Sequence, residues 1–503
     1  MARQRVRASR IRQFAPLLQR RIASKPVGGC KRHWLLGNFD IAKEIKLSQS
    51  ICGIVIALAN TGLDSPSTRP LEPIRAGQSQ RLRSLKHSIN WLDNAPNAVP
   101  EEKATVGELR LWLNKQNVTT HMSGGTLEDH VTVALFGLVN GLVHDWWRIF
   151  GSREKQFSLR RYRTGYLLPD VRFSFDGAVF EISAHESSYI DPDLRFFGGT
   201  QEALNRDEGE AWLSDMIDQT LSRLECRGLE ENSAAKRWAR IKSSLRSQER
   251  SFCEAAGSLG FDPYDIEDEL ANFIESAEQI FDGEALIEFV GDAGKVDRRR
   301  LIGWVERMMG IKGHQYSLLD LRALAEAVEK NVPASAGERA WAVGYRRARE
   351  MRKLLGLKQT YKFQSFKDLA SKLGSSKQFN VAPRVDGINA LRREGPNGIN
   401  VHIRNHGDGD YAPSMHLFAL ARSVGDVACF PDAQVSPINS LQHAYRQAAG
   451  RAFAAEFLAP IDEVKSMRED DKDEFTIANA FKVNPALIDH QLENAQRIAS
   501  ACD

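Results

Sequence analysis

Five prolines between Thr61 and Pro100 (Pro66, Pro70, Pro73, Pro96, Pro100) and the small-residue run Pro333-Ala334-Ser335-Ala336-Gly337 forbid a long regular element across either stretch. Proline removes a backbone donor and fixes φ, so these stretches divide the chain. The 503 residues also exceed what one hydrophobic core supports, so several domains are expected. The divisions predict a basic tail and irregular linker over 1–100, a small α+β module over 101–205, a helical region over 206–332 and a final domain over 338–503. The expected fold class is therefore α+β and multidomain.

Residues 1–33 hold ten Lys or Arg and no acidic residue, a balance that fits either contact with nucleic-acid phosphates or a solvated tail. Phe14 is the one aromatic residue interleaved there, which argues against base stacking. The longest apolar run, Ile51 to Ala59, is too short for the roughly 20 residues of a membrane span. No membrane partner and a cytoplasmic location are expected. The six cysteines are scattered with no Cys-x-x-Cys pair, so neither a disulfide framework nor a cysteine zinc site is indicated.

Within the module, Leu109, Leu111 and Leu113 alternate as on a half-buried strand, and Leu135 to Trp147 reads as a helix. His144 and Asp145 are adjacent on that helix, point about 100° apart and do not form a base with its orienting carboxylate. Val171 to Ile182 predicts a hairpin turning at Asp176-Gly177. Pro169-Asp170 with Glu181-Ile182-Ser183 has the acidic part of a divalent-metal nuclease core, but Ser183 stands where such a core needs lysine, so exposed acids on a hairpin are the simpler reading. Glu210 to Cys226 and Glu249 to Ile280 carry helical spacing, the latter broken at Pro263.

After Gly337 the pattern is helix (Trp341, Tyr345, Ala348 and Leu355 on one face), short helix (Phe366 to Leu373), and a hairpin over Ile388 to Ile403 turning at Gly395-Pro396-Asn397-Gly398. Next come Leu417-Phe418-Ala419-Leu420-Ala421-Arg422-Ser423-Val424-Gly425-Asp426 and Arg451-Ala452-Phe453-Ala454-Ala455-Glu456-Phe457-Leu458-Ala459-Pro460. This order and these two segments resemble the ImmA/IrrE family of metallo-endopeptidases, the IrrE N-terminal-like domain. The family reads Arg-Phe-Thr-Leu-Ala-His-Glu-Leu-Gly-His, followed by a helix ending Phe-Ala-Ala-Glu-Leu-Leu-Met-Pro. The resemblance covers roughly the last third of the chain, and more weakly the middle segments around Trp212 and Phe252 to Tyr264.

The resemblance implies a zincin-like fold and, in active members, zinc-dependent cleavage of repressors in bacterial stress or mobile-element circuits. In His-Glu-x-x-His, two imidazoles one helical turn apart chelate zinc and the glutamate acts as base on the metal-bound water. Here the histidine positions hold Arg422 and Asp426, the glutamate position Ser423, and the third-ligand position Ala449. The resemblance thus implies a degenerate site with no catalytic residues and no cofactor, and a regulatory binding module whose protein partner is a helix-turn-helix repressor. Arg422 and Asp426 are expected to pair across the old metal position on an exposed helix, for a few tenths of a kcal/mol.

The enzyme alternative is an active zinc peptidase with a displaced ligand set drawn from His402, His406, His416 and His443. Along an extended strand, His402 and His406 would lie about 13 Å apart and could not share an ion. A second alternative is a nucleic-acid-binding regulator acting through residues 1–33. The tail Phe475 to Asn494 has the spacing of two helices joined by a turn, but Asp489 and Glu493 face the wrong way electrostatically for reading bases.

Overall fold

The computed structural model describes residues 85–93, 99–153, 156–189, 193–311, 313–335, 337–396 and 398–502. The basic segment 1–33 and its nucleic-acid reading therefore lie outside the described residues. The protein is mixed α/β, built from small antiparallel sheets and many helices.

The first strands are β1 (Lys86–Trp91), helix α1 (Pro100–Ala104), β2 (Val106–Leu113), β3 (Gln116–Asn117), β4 (His121–Ser123), β5 (Thr126–Glu128) and β6 (Val131–Ala134). β1 falls within the stretch expected to be irregular linker. Its alternating exposure is set by pairing with β2, where Ile89 lies opposite Leu109, a partner that local proline content cannot show. Helix α2 (Leu135–Gly151) follows, then β7 (Phe157–Ser158), β8 (Asp170–Phe175), β9 (Phe180–His185), β10 (Ser187–Ser188), β11 (Arg195–Phe196) and β12 (Thr200–Leu204). The strands form three antiparallel sheets, β1-β2-β3 with β6 also on β2, β10-β11-β4-β5, and β12-β9-β8-β7. Gly177 turns the β8–β9 hairpin at φ +107°, a conformation that side chains with a Cβ rarely adopt.

α2 is apolar on most of its surface because it is buried among these sheets and the helices that follow, with Trp146 and Trp147 inside. Those helices are α3 (Arg206–Cys226), α4 (Ser233–Leu245), α5 (Arg250–Ser258), α6 (Asp268–Glu278), α7 (Gly283–Asp292) and α8 (Arg298–Gly310). Asn205 caps α3 with Glu208 reaching back, a full capping box. α2 and α5 touch backbone to backbone, since a Cβ on Gly257 would lie 2.1 Å from the Trp147 carbonyl oxygen.

The last elements are β13 (Ser317–Leu318), α9 (Leu321–Asn331), α10 (Ala340–Leu354), α11 (Phe366–Lys372), β14 (Ala390–Gly395), β15 (Gly398–Ile403), α12 (Ala412–Cys429), β16 (Val435–Ile438), α13 (Tyr445–Leu458), α14 (Ile461–Glu469), α15 (Glu474–Phe481) and α16 (Pro485–Cys502). Their sheet runs β13-β15-β14-β16, all antiparallel. One face (Ile399, Val401, Ile403) packs under α12, while Leu391 joins a second core with α6, α7 and α8. Residues 333–335 and 337 do lie outside helices and strands, but Leu318, Leu321 and Val328 before them share one core with α10, α12 and α13 after them. Trp341 is 39% exposed and not on the buried face of α10, which is carried by Val343, Tyr345, Ala348 and Met351. The tail's two helices pack on this core through Ile477, Phe481 and Ile488.

Candidate functional site

Helix α12 carries three of the four positions that matter in the resembled motif, and it is buried along almost its whole length. A charged side chain on such a helix needs partners. Arg422 finds them in neutral acceptors: its Nη2 donates to the Asn439 carbonyl oxygen and to Gln447 Oε1, both at 2.7 Å. Gln447, on α13, donates from Nε2 to Glu288 Oε2 at 2.8 Å and to the Pro437 carbonyl at 2.8 Å. Asn439 Nδ2 donates to the backbone carbonyl of Glu288 at 2.8 Å. This chain of bonds ties α12 and α13 to α7.

Asp426 accepts from Arg392 Nε at 2.8 Å and from Arg446 Nη2 at 3.0 Å. Arg446 also reaches Ser436 Oγ, and Arg392 donates to the Phe430 and Ala433 carbonyls. The expected Arg422–Asp426 pair is therefore not formed. Each residue is turned to different partners, and the helix is interior where an exposed one was expected. Burial works against the Asp426 charge, but Arg446 and Arg392 outweigh it and hold the carboxyl below its ordinary value. For Arg422, burial with the nearby Arg451 charge outweighs the pull of Asp292, Glu288 and Asp426 and pushes its guanidinium down to about 9.

Ser423 turns its hydroxyl back to the Ala419 carbonyl at 2.9 Å, a bond within its own helix. Ala449 is fully buried in the seam between α10 and α13. Zinc in a catalytic site takes three protein ligands and an open position. Of these four side chains only Asp426 is a ligand type, and two guanidinium groups already occupy its oxygens. The residues at the motif positions do not fit a zinc ion.

The histidines offered as a displaced set are brought together only in part. The His406 and His416 rings are tilted against one another with centroids 5.3 Å apart, and the His406 backbone N–H donates to His416 Nε2 at 3.0 Å. His402 lies elsewhere, its ring 4.4 Å from that of Tyr316, and neither of its nitrogens has a hydrogen-bond partner among the described residues. His443 is exposed before α13. Burial pushes His402 down to about 3, with Arg393 adding to it, and His406 down to about 4, with Arg404 adding to it. Among the described residues no three His, Cys, Asp or Glu side chains are placed to hold one metal ion.

The nuclease-like acids are likewise satisfied structurally. Asp170, expected to be exposed, is buried and takes both Arg172 donors, and Glu181 pairs with Arg339. His144 bonds the Asn140 carbonyl while Asp145 accepts from Tyr162, so the two do not act together.

Beside the Glu288 network lies a feature that local sequence reading missed. A cavity of about 290 Å³ is lined by Asp176, Gly177 and Ala178 of the β8–β9 turn, Glu284 and Glu288 of α7, Phe430, Tyr445 and Arg446. The signal available was Glu284 and Glu288 four residues apart, which places two carboxylates on one helical face. Arg153 pairs with Glu284. Burial pushes Glu288 up to about 7, against the pull of Arg446 and Gln447. Tyr445 fastens the rim by donating its backbone N–H to the Asp176 carbonyl at 2.8 Å and its hydroxyl to the Glu338 carbonyl at 2.8 Å. Comparison of the chain with protein-family models, with curated proteins and with solved structures finds no match to any of them.

Proposed function

We propose that this protein is a catalytically degenerate, ImmA/IrrE-like binding module that acts on a bacterial regulator by holding it and not by cutting it. The observation that carries this reading is the hydrogen bonding of the motif positions to the scaffold: Arg422 on Asn439 and Gln447, Asp426 between Arg392 and Arg446, Ser423 on Ala419. A hydrolytic site needs an open ligand position and a base within reach of a water. Here Arg422, Ser423 and Asp426 each spend hydrogen bonds on the scaffold. The zincin-like character of the final domain, the repressor as partner and the cellular compartment belong to this proposal. The displaced-ligand peptidase is less well supported, because among the described residues no three His, Cys, Asp or Glu side chains are grouped to hold one metal ion.

The test is to mix the purified chain with a panel of bacterial helix-turn-helix regulators, with and without added zinc. A complex on size-exclusion chromatography with the regulator intact is expected. Cleavage that depends on zinc would establish the peptidase reading, and the absence of any complex would remove the binding one.

A further inference from the structure

Glu288 is 1% exposed, yet it lines the cavity beside the β8–β9 turn. Gln447 serves its Oε2, while Oε1 has no hydrogen-bond partner among the described residues. A carboxylate taken out of water needs a cation or several donors. The nearby guanidinium groups place their hydrogen bonds elsewhere, Arg446 on Asp426 and Ser436, Arg153 on Glu284, Arg422 on Gln447 and Asn439, so that Arg446 acts on Glu288 only through its charge. Asp176, across the cavity, accepts two backbone N–H groups from Ala178 and Val179. The lining thus holds three carboxylates against one guanidinium, with the rings of Phe430 and Tyr445 as apolar wall.

We propose that this cavity binds an alkylammonium or alkylguanidinium cation, whose charged head meets Glu288 and Asp176 and whose stem lies along Phe430 and Tyr445. The volume admits several non-hydrogen atoms, and aromatic faces favour organic cations. A bare metal ion fits less well, because the carboxylates do not converge to metal-ligand distance in groups of three among the described residues. Where the cation comes from rests on the binding-module reading, in which it is a lysine or arginine side chain of the partner; the site itself does not rest on that reading. Burial already pushes Glu288 up to about 7, so cation binding at neutral pH should release a proton, in keeping with the charge the site lacks.

The experiment is calorimetric titration of the full chain with n-butylammonium and n-butylguanidinium chloride at constant ionic strength and pH 8. One cation at least should bind saturably, one per chain, and Glu288→Gln should weaken it tenfold or more. Asp408→Asn, on an exposed loop, should leave it unchanged. If Glu288→Gln does not fold, Asp176→Asn, which can still accept the turn's N–H groups, should show the same weakening. No saturable binding of either cation, or native affinity in the folded variants, would overturn the proposal. Displacement of a bound regulator by butylguanidinium assigns the cation to a partner side chain. Cation binding without displacement assigns it to a free amine, and in both cases the site stands. Failure to find any regulator complex would remove the proposed function while leaving the cation titration unaffected.

Discussion

Asp426 is a single carboxylate holding two interior guanidinium groups, Arg392 and Arg446. Such an arrangement is asymmetric. Replacing a whole buried ionic group by apolar residues can be neutral, but removing one member strands the rest in a medium that cannot solvate them. Asp426→Ala should therefore destabilise the protein by about 3–5 kcal/mol, read as a lowered urea midpoint. His402 makes the opposite case, because it is buried with no hydrogen-bond partner among the described residues. Its folded pKa of about 3 lies below the usual histidine value of 6.5, so the unfolded chain takes up the proton first. The stability it permits is present above pH 6.5 and falls as pH drops below that, by about 1.4 kcal/mol per pH unit. His402→Phe should flatten the decline of melting temperature between pH 6.5 and 5, measured by scanning calorimetry. An unchanged slope would show that His402 meets water in solution.

At the scale of elements, the tightest seams are made where glycine lets helices meet. A Cβ added at Gly344 of α10 would lie 2.5 Å from the Ala449 carbonyl oxygen of α13, and backbone cannot swing aside as a side chain can. Gly344→Ala should cost about 1–3 kcal/mol, seen as a melting temperature several degrees lower with unchanged helix content by circular dichroism. Much of the element layout was legible in local patterns. The β8–β9 hairpin follows from Asp176-Gly177, α2 from its apolar run, and β14–β15 from the Gly395 to Gly398 turn. What local patterns could not show is which elements meet. Arg422 and Asp426 are one helical turn apart, so they suggest a surface pair, whereas their partners Gln447, Arg392 and Arg446 come from α13 and β14. The cavity was hidden for the same reason, since its walls come from a hairpin turn, α7 and α13. Trp341 shows the converse, an aromatic residue at helical spacing that stays exposed at the protein surface with its ring edge-on to Tyr345.

At the scale of the molecule, the loop at 333–337 and the core it crosses have a practical consequence. Its described residues are exposed apart from the loop flanks, so a protease can reach it, yet β13 and α9 on one side complete the sheet and core of the other. A chain opened there should behave as a split protein. The two fragments, expressed separately, should each be poorly folded with β15 left as a bare edge, and should regain cooperative melting only when mixed. Two fragments that fold independently and ignore one another would contradict that expectation. If they do recombine, the break point becomes a handle: two halves that find each other through a buried two-residue strand form a reporter whose signal appears only on reassembly.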